Sequence, residues 1–191
     1  MRLWGGARSC PEGIHVIVVS YATEDGVYDK YLQRLKESCD AHGLSHDMEL
    51  TPPSSRKCAV LEKPKFIRRM LRKHKDVVLW LDADAVVSNP ISLPQSGWDI
   101  GLARNTKWRE RRKNPTSAFA VSVRPTEAAE TFLATWEHLC SYAEMCRHGD
   151  HKRLTWTREM RSGEYSELRL EQHIPNCVIR DFGREKQGFL R

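Results

Sequence analysis

The chain has no long hydrophobic run. Its longest apolar stretch, around Val77–Val87, is broken by Asp82 and Asp84 and falls far short of the roughly 20 residues that a membrane-spanning helix needs. The N-terminal stretch carries charge but no apolar signal core. Neither a membrane span nor a secretory leader is therefore expected, and the expected setting is cytoplasmic, in a host cell if the chain is viral. No internal repeat or low-complexity segment appears. The six cysteines, at positions 10, 39, 58, 140, 146 and 177, contain no Cys-x-x-Cys pair, so a zinc knuckle is not expected. An even count permits disulfides, but 191 residues can build a core without them, and reduced thiols are the expectation. No zinc-finger, helix-turn-helix or RNA-recognition signature is present.

What the chain does have is enough apolar and aromatic material for one compact domain: 40% hydrophobic residues and six Trp, which argues against a disordered chain. The net charge of +6 is unevenly spread. Arg56–Lys75 carries nine basic residues and one acid, Arg104–Lys113 carries six and one, and the remainder is acidic on balance, with 16 basic against 23 acidic residues. Two basic segments on a mildly acidic body allow phosphate-bearing partners, whether nucleotide, nucleic acid or anionic lipid.

Gly13–Tyr21 is a short β-branched run, read as a buried strand of parallel type. Tyr28, Tyr31, Leu32, Leu35 and Cys39 share one helix face, which Gly43 ends. His46–Leu50 reads as a second strand and Thr51–Ser55 as a loop. Pro64 fits the first turn of a helix with a stripe of Phe66, Ile67, Met70 and Leu71. Val77–Leu81 is a further buried strand, Trp98–Leu102 and Ser117–Val123 look like strands, and Pro125 opens a long helix running past Trp136. Beyond it, residues 146–163 read as a loop, Tyr165–His173 as a short helix and Val178–Phe182 as a last strand. Alternating strands and helices imply a layered α/β domain with a mainly parallel twisted sheet flanked by helices. Ligands gather at the carboxyl ends of such strands, which here are Ser20-Tyr21-Ala22, read as a turn, and Asp82-Ala83-Asp84.

Two carboxylates at i and i+2 after an apolar strand would share one face of a continuing strand, or converge in a turn. Close like charges repel, and a divalent cation relieves that repulsion. Hard oxygen ligands suit Mg²⁺, Mn²⁺ or Ca²⁺, and Mg²⁺ typically takes one or two carboxylates plus substrate phosphates. The plainer alternative is that both Asp stabilise a turn.

Val77–Val87, with its Asp-Ala-Asp, resembles the Asp-x-Asp strand of nucleotide-sugar glycosyltransferases of the GT-A fold. Glu62-Lys63-Pro64-Lys65-Phe66-Ile67 is similar to the Lys-Pro-x-Phe-Ile segment that precedes that strand in nucleotide-diphospho-sugar transferases. The Ile14–Ser20 strand with Tyr21, and Ser117–Val121 followed by Ala128–Trp136, resemble the family's first strand and its later strand and helix. The resemblance spans residues 14–140 and implies a single GT-A-like domain over 1–191, with 14–103 binding nucleotide sugar and metal and 104–191 facing the acceptor. It implies that Asp82 and Asp84 hold Mn²⁺ or Mg²⁺ and, through it, the diphosphate of a donor, most simply a UDP-sugar. Ser20, Tyr21, Ala22 and Ala83 would then line the nucleotide, with Tyr21 stacking on the base, and Lys63 would approach the ribose or diphosphate. His173 is the candidate third metal ligand. Glu167, with Glu164 and Asp150 as alternatives, is the candidate base that an inverting enzyme needs. The family's Asp-Gln-x-x-Leu segment has no match: Ser166–Leu170 lacks both polar residues.

The Arg104–Lys113 tract, with Arg104, Lys107, Trp108, Arg109, Arg111, Arg112 and Lys113, suits a phosphate backbone and a stacked base. Some viral glycosyltransferases modify hydroxymethylated bases in DNA, so the resemblance and the charge together make DNA the leading acceptor. Protein, polysaccharide and small molecules remain open. Two readings from other classes are a nucleotidyltransferase or metal phosphohydrolase, and a non-catalytic nucleic-acid-binding module.

Overall fold

A computed structural model of the chain describes residues 15–53, 56–91, 93, 97–104 and 116–147. In chain order the elements are β1 (Val16–Thr23), α1 (Tyr28–Ala41), β2 (Ser45–Thr51), α2 (Arg56–His74), β3 (Val77–Leu81), β4 (Ile100–Arg104), β5 (Thr116–Val123) and α3 (Glu127–Arg147). The strands form one sheet in the order β2-β1-β3-β5-β4. β1 pairs in parallel with β2 and β3, whereas β5 runs against both β3 and β4. Four of the five strands therefore point the same way, and the sheet is mostly parallel, as the sequence suggested.

The near-continuous apolar runs of β1 and β3 follow from burial on both faces. Ile17, Val19, Val78 and Trp80 pack under α2 and α3, against Phe66, Ile67, Met70, Phe132, Leu133 and Trp136. Val16, Val18, Val77 and Leu79 pack on the other face with Leu35 and Cys39 of α1. The result is a three-layer α/β/α arrangement.

Helix ends follow local chemistry. Asp25 Oδ1 accepts the backbone N–H groups of Val27 and Tyr28 at 2.9 and 2.8 Å, and Thr23 donates to Oδ2 at 2.9 Å. One side chain thus ties the end of β1 to the start of α1. Gly43, at φ 62°, closes α1 with its N–H on the Asp40 carbonyl. Thr126 Oγ1 accepts the Ala129 N–H at 3.3 Å and bonds Asp99 Oδ1 at 2.8 Å, capping α3.

Several expectations are corrected. α2 begins at Arg56, so Pro64 lies inside the helix rather than in its first turn. Pro64 has no N–H for the Val60 carbonyl, a cost of about 3 kcal/mol, and buried Leu61, Phe66, Ile67 and Met70 on both sides of it offset that cost. Ser20-Tyr21-Ala22 is not a turn: β1 continues to Thr23. Tyr31, expected on the buried face of α1, is 38% exposed. Trp98 is buried ahead of β4 rather than within it. The helix expected at Tyr165–His173 and the strand at Val178–Phe182 lie outside the described residues. No helix among the described residues is long and apolar enough to cross a membrane.

Candidate active site

The sheet places the Asp pair at the carboxyl end of β3. Asp82 donates its backbone N–H to the Phe119 carbonyl at 2.9 Å, which carries the ladder with β5 one residue beyond β3. Ala85 N–H then bonds the Asp82 carbonyl at 2.9 Å, so Asp82–Ala85 is a β-turn. Of the two geometries that the sequence allowed, the turn is the one adopted. The Asp82 carboxylate does not cap that turn. Its Oδ1 accepts Lys63 Nζ at 2.8 Å and Trp80 Nε1 at 3.0 Å. Both bonds fall on Oδ1, and among the described residues Oδ2 takes none. Asp84 is exposed.

Lys63 is buried, not a solvated lysine at a helix start. Its ammonium also donates to the Ala118 carbonyl at 3.2 Å and lies over the Trp80 ring, 5.1 Å from the centroid. Burial pushes its pKa below the ordinary lysine value, and the carboxylates of Asp82 and Asp84 oppose that shift. Tyr21 packs its ring against Phe66 at 4.8 Å and Trp80 at 5.2 Å and donates its hydroxyl to the Ala59 carbonyl. Burial, with the negative charges of Glu62 and Asp82, raises its pKa well above the usual phenol value. Tyr21, Trp80, Lys63 and Asp82 thus form one contiguous group on the α2 side of the sheet.

Beside it lies a cavity of about 390 Å³ between the ends of β1 and β2 and the Ala59–Arg69 stretch of α2. Tyr21, Thr51, Pro52, Glu62, Lys65 and Arg69 are among its lining residues. Arg69 is fixed there by Glu49, with Nη1 and Nη2 at 2.9 and 2.6 Å from the two carboxylate oxygens, and by stacking over Phe66 at 5.0 Å.

Ser20, Ala22 and Ala83 sit elsewhere. Ser20 is fully buried, and its Oγ has no hydrogen-bond partner among the described residues. Ala22 and Ala83 pack with Leu32 on the α1 side. Arg104 ends β4. Lys107, Trp108, Arg109, Arg111, Arg112 and Lys113 lie outside the described residues, as do Asp150, Glu164, Glu167 and His173. Sequence reasoning did not single out Trp80. The signal that could have found it is an aromatic N–H two residues before Asp82 on the same strand face.

The donor set suits a hard divalent cation. Asp82 Oδ2 and the exposed Asp84 carboxylate can supply two oxygens. Among the described residues no cluster of three or more His, Cys, Asp or Glu exists, so the other positions would fall to water or to a ligand's phosphates, as Mg²⁺ and Mn²⁺ sites permit.

Two structures of the glycosyltransferase GlyE from Streptococcus pneumoniae TIGR4, one of them the apo form, superpose on the chain with TM-scores of 0.53 at 13% and 11% identity. The chain shares the fold of the matched part of GlyE. Each match covers 94% of this chain and 46% of the GlyE chain, so the sequence spans about half the length of those neighbours. A glycosyltransferase involved in glycosylation of the major capsid of PBCV-1 matches at a TM-score of 0.49 and 15% identity, over 64% of this chain and 65% of its own. No protein-family model and no curated protein matches the sequence.

Proposed function

We propose that the chain is a metal-dependent glycosyltransferase of GT-A type, moving a sugar from a nucleotide-diphosphate sugar to an acceptor hydroxyl. The observation that carries this reading is the Asp82–Asp84 turn at the carboxyl end of β3, in a glycosyltransferase fold, with Asp82 Oδ2 unbonded among the described residues. Asp82 and Asp84 would hold Mn²⁺ or Mg²⁺, and His173 remains the candidate for a third protein ligand. When bound, the cation supplies Lewis-acid stabilisation of the departing diphosphate charge.

The chain's own residues do the rest. Lys63 and Trp80 fix the Asp82 carboxylate through Oδ1, so Oδ2 is presented without reorganisation. The cavity beside Tyr21 has the size for a nucleobase. Tyr21 serves there as an edge and wall, because Phe66 and Trp80 pack against its ring. A UDP-sugar is the proposed donor. The proposed base is Glu167.

DNA is the proposed acceptor, and the argument for it now rests on Arg104–Lys113 alone. Four cations of α2 are already paired by carboxylates of the fold, though three of them stay more than half exposed: Arg68 and Arg72 with Glu130, Arg69 with Glu49, and Lys73 with Asp47.

A thermal-shift panel of nucleotide sugars, with and without Mn²⁺, tests the reading. One nucleotide family should raise the melting temperature only when Mn²⁺ is present, and sugar transfer or slow sugar release should accompany it. Stabilisation by none, or phosphate release without sugar transfer, would overturn it.

A further inference from the structure

The Asp82–Ala85 turn is held from two sides, and the functional reading uses only one. From the α2 side, Lys63 and Trp80 hold the Asp82 carboxylate. The far half of the turn is held from α1. Arg34 Nη2 donates to the Asp84 carbonyl at 3.2 Å. Ser38, one helical turn on and on the same face, accepts the Val87 N–H on its Oγ at 3.1 Å and donates to the Leu35 carbonyl at 2.7 Å.

The two grips differ in setting. Ser38 and Val87 are buried, and Val87 packs with Leu35 and Cys39. The Arg34 bond is exposed, but its guanidinium lies over the Tyr31 ring, 5.3 Å from the centroid, and Tyr31 in turn meets the edge of Tyr28 at 5.9 Å. This gives a role to Tyr31, whose exposure is otherwise unexplained. Asp25 locks the start of α1 to the end of β1, so the helix that reaches the turn is itself anchored. The Asp84 carboxylate makes no hydrogen bond among the described residues, so its position is set through its backbone.

We propose that Arg34 is a positioning residue of the cation site. It acts through the Asp84 carbonyl to hold the Asp84 carboxylate beside Asp82, with Ser38 as the second anchor. This rests on the reading of Asp82 and Asp84 as cation ligands. Partners that orient metal ligands typically affect affinity 10- to 100-fold, and an exposed bond of this length belongs at the low end, at about 10-fold.

The test is Mn²⁺ titration by electron paramagnetic resonance on the full chain, without nucleotide, for wild type, Arg34→Ala, Arg34→Lys and Asp84→Asn, with melting temperatures alongside. Amide exchange at Ala85 and Val87 in metal-free protein supplies a readout independent of the cation. Asp84→Asn should abolish binding. Arg34→Ala should weaken it about tenfold at an unchanged melting temperature and speed exchange at Ala85, while Arg34→Lys recovers most of the affinity. If Asp84→Asn loses Mn²⁺ but Arg34→Ala binds as wild type, the positioning role is wrong and the metal reading stands. A melting temperature that falls in step with affinity would reduce Arg34 to a structural role. Equal binding by wild type and Asp84→Asn, or binding by neither, would overturn both.

Discussion

Lys63 and Asp82 form a lopsided ion pair. Their charged atoms are 2.8 Å apart, but the lysine side chain is 4% exposed and the aspartate 35%. Removing the carboxylate therefore takes a counter-charge from a cation buried in the core, whereas removing the lysine leaves a carboxylate that water can reach. Breaking a buried pair from that side is costly.

Asp82→Asn should accordingly cost stability as well as activity, by about 2 kcal/mol at pH 7, so it is a poor variant for isolating a metal site. The sign of its pH dependence follows from Lys63. Burial already depresses the folded-state pKa, and losing Asp82 depresses it further. The unfolded chain then binds more protons between that value and about 10.4, so the variant gains stability as pH rises, and its deficit against wild type shrinks between the two folded-state Lys63 values. Asp84→Asn, on an exposed side chain, should stay within about 0.5 kcal/mol of wild type while losing metal-dependent activity. Urea denaturation at pH 7 and 9.5 checks both, and equal stability of the two variants would contradict the pairing.

Acid should loosen the α2 seams. Glu130 of α3 accepts Arg68 Nε at 2.7 Å and also pairs with Arg72, and Asp47 of β2 accepts Lys73 and His74 at 2.7 and 2.6 Å. Burial pushes both carboxyls up, but the hydrogen bonds and charges of these partners outweigh it and hold both below the ordinary range. Their contribution is present above the unfolded values near 4 and is lost as pH falls through the lower folded values. Glu130→Gln should lower stability at pH 7 by about 1 kcal/mol and make the decline below about pH 4 shallower. An identical acid profile for variant and wild type would exclude this seam as a cause.

Continuous apolar runs made β1 and β3 legible, because both faces of those strands are buried, and a period of 3.6 made α1 and the buried stripes of α2 and α3 legible, because each helix buries one face. The end of the buried strand at Asp82 was legible too, since two charges after Val77–Leu81 have no place inside a core, but the sequence left a continuing strand and a turn both open there. The start of α2 was not, because Pro64 mimics a helix start and tertiary burial overrides it. The depth of Lys63 was not, since nothing local distinguishes a surface lysine from one that meets an aspartate 19 residues away. Arg34 was invisible, because its partner is a backbone carbonyl 50 residues on.

The thiols described by the structure should be inert. Cys39 and Cys140 are both buried. Burial pushes the Cys39 pKa up to about 11, with Asp40 adding to the shift. Little thiolate exists at pH 8, and alkylation needs thiolate. Brief alkylation of native protein followed by peptide mapping should leave Cys39 and Cys140 unmodified, and both should label in denaturant. Labelling of Cys39 in the native protein would show that α1 opens locally.

The two basic segments should behave differently towards DNA. Cations already paired within the fold release few counterions on binding, because their charge is balanced beforehand. Arg69 and Lys73 are in that position, held by Glu49 and Asp47. Replacing them with Gln should lower the melting temperature and leave the salt dependence of duplex binding nearly unchanged. Arg109, Arg111, Arg112 and Lys113 lie in a tract with one acid among ten residues. Neutralising those four should flatten the slope of log K against log salt by about 3 to 4, near 0.9 for each phosphate that the variant no longer neutralises. Equal effects from both sets would mean that the α2 pairs open to meet the polyanion. No duplex binding at low salt would remove DNA as the acceptor and leave protein, polysaccharide or a small molecule.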